Sequence, residues 1–136
     1  MALLLNQTFS TTTEVLSTLR QSVRDASLRA GCQEEVCEQI VLAINEACMN
    51  IIQHGYAFAS RQDFALQISV DDGVLVANLM DNGRPVAEDD WCPRDLDDLR
   101  PGGLGVRFIR ELMEGVAYVP APEGFTNCLQ LTKRIY

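Results

Sequence analysis

Three short stretches hold residue types that could do chemistry. The first is Glu46, Asn50 and His54, spaced four apart. On a helix this spacing advances each residue by about 40°, so the three share one stripe. A glutamate there can orient a water or accept a hydroxyl proton, and an asparagine carbonyl oxygen suits one coordination position of Mg2+. The stripe borders an apolar arc of Ile40, Ala43, Ile44, Ala47, Cys48 and Ile51. A polar side chain at such a border is paired, serves a ligand, or lies at the rim of the packed face. Taken alone, His54 fits a helix C-terminus equally well, where its ring suits the dipole.

The second stretch is Asp81-Asn82-Gly83-Arg84-Pro85. It reads as a plain turn, or as a carboxylate that accepts from an exocyclic amine such as adenine's, with Gly83 letting a ring approach the backbone. The third is Gly102-Gly103-Leu104-Gly105, ahead of a helical pattern. Exposed N–H groups and a positive helix end make an anion site there. A simple loop-to-helix entry would also use glycines. Gly105 weighs against that, because glycine inside a first turn costs about 1 kcal/mol unless something must come close. Arg107 and Arg110 add positive charge or face solvent. The three stretches together fit one nucleotide pocket with a lid.

The elements that must position these residues follow from the hydrophobic pattern. Leu3-Leu4-Leu5 suggests a first strand. Ser10-Thr11-Thr12-Thr13 offers capping hydroxyls to a helix carrying Val15, Leu16, Leu19, Val23, Ala26 and Leu28, closed by Gly31. A second helix is expected over about 33–53, with Glu34 and Glu35 at its positive end. Strands at 64–70 and 74–79 flank Asp71-Asp72-Gly73, a hairpin turn. Residues 81–103 hold six aspartates and three prolines and read as a long loop. Loops of that length usually have a task, such as covering a ligand. A helix from Leu104 to Met113, closed by Gly115, and strands at 116–119 and 127–135 complete the order. The pattern predicts an α+β two-layer sandwich with a mixed, mostly antiparallel sheet and helices on one face.

Composition limits what the site can bind. The chain has 136 residues, with 11 Lys+Arg against 19 Asp+Glu and a net charge of −8. That length suits one domain. The acidity argues against a nucleic-acid partner and, more weakly, against an anionic membrane surface. Lys133 is the one lysine, and no Gly-rich run ends in Lys-Ser/Thr, so a P-loop is excluded. An anionic nucleotide would therefore have to meet backbone amides, arginine and a metal ion. The five cysteines have neither zinc nor CxxC spacing and read as free thiols. With no signal-peptide pattern and no membrane-length apolar run, a cytoplasmic location is expected.

The three stretches also resemble a known family, the bacterial anti-sigma factor serine kinases and related stress-signalling switch kinases. This family lies within the ATP-binding superfamily of gyrase, Hsp90, histidine kinases and MutL. Glu46-x-x-x-Asn50-x-x-x-His54-Gly55-Tyr56, Asp81-x-Gly83-x-Pro85 and Gly102-Gly103-Leu104-Gly105-x-x-x-Ile109 carry the likeness over nearly the full chain. Leu112-Met113-Glu114-Gly115-Val116-Ala117-Tyr118 is similar too, although the family more often has Asp at the Glu114 position. The resemblance implies a single histidine-kinase-like ATP-binding domain over 1–136, with a Bergerat-type fold and a lid at about 84–103. It implies Glu46 as general base, Asn50 as the Mg2+ ligand, Asp81 and Gly83 at adenine, and Gly102, Gly103, Leu104 and Gly105 at the phosphates. His54 and Arg107 are expected to join the same nucleotide site. ATP and Mg2+ are the implied cofactors. The implied partners are a STAS-domain anti-sigma factor antagonist as phosphoacceptor, a sigma factor, and a second copy in a homodimer. The alternative is an ATP-gated binding module, or a switch kinase with no direct sigma-factor contact.

Overall fold

The structure is a computed structural model that describes residues 2–12, 14–52, 63–83 and 103–136. Two-residue alternation builds its sheet. In β2 (Asp63–Asp71) Phe64, Leu66 and Ile68 are buried in the main core. Leu75, Ala77 and Leu79 of β3 (Val74–Asp81) and Leu129 and Leu131 of β5 (Asn127–Arg134) join them on the same face. The opposite face is more open and carries Gln67, Asn78 and Gln130 in register. With β1 (Ala2–Ser10) and β4 (Gly115–Val119), the strands lie in the order β1-β2-β3-β5-β4. All four pairings are antiparallel.

The hairpin between β2 and β3 turns at Asp72 and Gly73, with φ of 50° and 77°. Both values are positive, as a two-residue turn matching the sheet twist requires. β1 runs nine residues, well beyond the expected Leu3–Leu5. Its polar second half hid it, since Leu5, Gln7 and Phe9 face the helices while Asn6 and Thr8 face out. A bulge between Leu3 and Leu5 lets both Leu4 and Leu5 pack on the core.

The helices α1 (Val15–Arg29), α2 (Glu34–Asn50) and α3 (Gly103–Leu112) form the second layer. Leu16, Leu19, Val23 and Ala26 recur at helical spacing on the buried face of α1, and Ile40, Ala43, Ile44 and Ala47 on that of α2. α1 packs on α2 and β1, and α2 packs on α3. The expected capping stretch Ser10–Thr13 lies just ahead of α1, and Thr13 is outside the described residues. The N-cap of α1 is Glu14 with no side-chain cap bond, and Val15 N–H donates to the Thr12 carbonyl in a preceding turn. Glu34 and Glu35 do stand in the first turn of α2. The described cysteines, Cys32, Cys37, Cys48 and Cys128, are free and buried. Among the described residues no helix is long and apolar enough to cross a membrane.

Candidate functional site

Asp81 ends β3 on the helix-side face of the sheet and is only 4% exposed. Its neighbours in sequence fold back on it. Gly83 N–H donates to Asp81 Oδ1 at 2.9 Å, the short-range turn that aspartate favours. Asn127, paired with Asp81 across the sheet, donates Nδ2–H to the same Oδ1 at 3.0 Å. Thr126 N–H donates to the Asp81 carbonyl and to Asn82 Oδ1, both at 2.9 Å. Among the described residues both hydrogen bonds to the carboxylate converge on Oδ1 and fix its rotamer, and none goes to Oδ2.

The corner around Asp81 disfavours charge. Burial pushes the Asp81 carboxyl above its ordinary range, opposed by the bonds from Asn127 and Gly83. Burial, with the Asp81 charge second, pushes the Tyr118 hydroxyl up to about 12. The Cys128 thiol is raised by the same two causes. In such surroundings a hydrogen bond to Oδ2 is worth more than it would be in water.

Glu46 and Asn50 lie on α2, both half-buried. Among the described residues neither side chain is held by a hydrogen bond or ion pair. Their neighbour Asn45 differs, accepting from Arg20 Nη1 at 3.1 Å and so tying α2 to α1. Beyond Asn50 the helix continues through a widened, π-type turn at residues 51 and 52. Such turns recur at functional sites.

Gly103, Leu104 and Gly105 form the first turn of α3, whose leading N–H groups have no acceptor within the helix. Ile109 and Met113 anchor the helix in the core. α3 lies directly against α2, so the glycine turn opens a helix packed on the one that carries Glu46 and Asn50. Arg107 pairs with Glu111 one turn on, Nε to Oε1 at 3.8 Å. His54, Gly102 and residues 84–102 of the lid expected at about 84–103 lie outside the described residues, while Gly103 begins α3.

Two residues with a part in this arrangement escaped the sequence reading. Asn127 fixes Asp81 from a position 46 residues away. The one available signal was an asparagine opening a strand, where that residue is disfavoured. Lys133 reaches the last turn of α3, where its Nζ donates to the Leu112 carbonyl at 2.6 Å. Nothing in its sequence surroundings marks that contact.

A family profile described as histidine kinase-like ATPase domain matches residues 9–133. The chain belongs to this family. The serine-protein kinase RsbW of Bacillus pumilus is 28% identical over 123 residues, which cover 83% of this chain and 75% of that one. RsbW of Bacillus subtilis is 25% identical over 111 residues, covering 76% of this chain and 69% of the relative. Among solved structures, the RsbU and RsbW domains of Rv1364c from Mycobacterium tuberculosis superpose with a TM-score of 0.68 at 20% identity. That match covers 96% of this chain but spans about a third of the other, 32%. The blue-light activated histidine kinase EL346 of Erythrobacter litoralis gives 0.53 at 24% identity, over 76% of this chain and 32% of that one. At these identities the structural matches establish the α+β ATPase fold alone.

Proposed function

We propose that the chain is an ATP-dependent protein serine/threonine kinase that phosphorylates a STAS-type antagonist protein and thereby controls a sigma factor, working as a homodimer. The observation that supports the nucleotide part of this reading is Asp81, a buried carboxylate that among the described residues is bonded at Oδ1 and not at Oδ2. That is a receptor for the 6-amino group of adenine. The keto oxygen of guanine would meet it acceptor to acceptor. Gly83 packs close to the base, and the glycine turn with Gly102 receives the phosphates through its N–H groups. His54 and Arg107 complete the nucleotide site.

Glu46 takes the proton of the acceptor hydroxyl as its oxygen attacks the γ-phosphorus. The bond to the β-phosphate oxygen breaks and ADP leaves. Asn50 offers a half-buried amide oxygen that nothing else among the described residues holds, which fits Mg2+. Among the described residues no three His, Cys, Asp or Glu cluster to hold a metal ion. When bound, the ion neutralises charge on the phosphates, which a chain of net charge −8 otherwise repels.

Calorimetric titration with Mg-ATP and Mg-GTP tests the base site. ATP should bind roughly tenfold or more tightly than GTP, and Asp81→Asn should narrow that gap by losing ATP affinity. Equal affinities in the wild-type chain would remove Asp81 from the role. Phosphate transfer to a STAS-type protein separates the kinase from a binding module that ATP merely gates.

A further inference from the structure

We infer that Lys133 is a positioning residue for the phosphate-binding turn, and that β5 holds the base end and the phosphate end of the site in fixed relation. The inference rests on the nucleotide reading above. Lys133 is the one lysine of the chain, and its side chain is only 12% exposed. Its Nζ donates to the Leu112 carbonyl at 2.6 Å and lies 3.9 Å from Glu114 Oε2. A cation at this end of α3 faces the negative pole of the helix dipole and satisfies a terminal carbonyl. The next link is also to β5, since Glu114 N–H donates to the Thr132 carbonyl at 3.0 Å. Glu114 Oε2 in turn accepts from Arg134 N–H at 3.3 Å. Residues 132–134 therefore clamp the C-terminal end of α3.

Six residues earlier on the same strand, Asn127 fixes Asp81. An even spacing puts Asn127 and Lys133 on one face of β5, about 20 Å apart. One strand thus sets the carboxylate proposed to read adenine and the foot of the helix proposed to receive the phosphates. The lever is long. A ten-residue helix is about 15 Å from end to end, so a tilt of about 4° at Leu112 moves the glycine turn by about 1 Å. Misplacement on that scale is enough to cost two orders of magnitude in a positioned reaction.

The test compares adenosine with Mg-ATP on the full chain by calorimetry, for wild type, Lys133→Met and Lys133→Arg, with thermal melts alongside. Lys133→Met should lose about fivefold in Mg-ATP affinity while its adenosine affinity stays within twofold. Lys133→Arg should recover most of that loss. A Lys133→Met variant that binds both probes like wild type, or weakens both by one factor, would overturn the positioning role. Should that variant not fold, Lys133→Gln replaces it under the same criterion. A wild-type chain that binds Mg-ATP no more tightly than adenosine would instead overturn the nucleotide reading itself.

Discussion

Asp81 is a carboxylate that the fold keeps out of water at a cost in stability, and that cost is measurable. Its folded pKa lies above the ordinary 3.8, so the native state holds its proton to higher pH than the unfolded chain does. Stability therefore falls as pH rises from about that value through the folded pKa, and the loss is complete above it. Asp81→Asn removes this term, and its side-chain oxygen can still accept from Gly83 and Asn127. The variant should melt higher than wild type at pH 7, with the gap closing near pH 3, as thermal melts across that range would show. The same change replaces Oδ2 by an NH2 group that faces a donor, and should cost about 10- to 100-fold in ATP affinity. A variant both less stable at pH 7 and unchanged in binding would contradict this picture. Asn50→Ala should abolish the Mg2+ dependence of nucleotide binding, which titration with and without the ion would reveal. Glu46, Asn50 and Asp81 were legible in the sequence because spacing and neighbouring glycines mark them locally. Asn127 and Lys133 were not, because each acts on an atom at least 21 residues away.

Among the described glycines, Gly115 between α3 and β4 has the least room for a side chain. Gly115 lies opposite Thr132, and a Cβ added there would run into Thr132 Oγ1. Gly115 is thus required for close approach rather than for a left-handed turn, since its φ is not positive. Gly115→Ala should destabilise the chain by about 1–3 kcal/mol. Thr132→Ala in the same background should restore at least half of that, as a double-mutant cycle in denaturant would measure. The helices and the 72–73 hairpin could be read from periodicity and turn chemistry, which are local. The full length of β1 could not, because only its register with β2 shows that its polar half belongs to the sheet. Ahead of α1, Val15 N–H donates to the Thr12 carbonyl, a backbone turn that the run of hydroxyl residues does not by itself reveal.

For the whole molecule, a net charge of −8 and one lysine leave few side-chain cations for an anionic ligand. In the proposed site the amides and helix end of the glycine turn stand in place of side-chain cations, while Lys133 sits at the far end of that helix. The family match spans residues 9–133, nearly all of the 136 residues. The proposed function requires this scaffold to transfer phosphate rather than only to bind ATP. Its most direct test is incubation with γ-labelled ATP, Mg2+ and candidate STAS-type proteins, run in parallel with Glu46→Gln. Label should appear on a serine or threonine of one candidate and fall by about 100-fold or more in the variant, which should still bind Mg-ATP. Tight Mg-ATP binding with no transfer to any candidate, or transfer unaffected by Glu46→Gln, would contradict it.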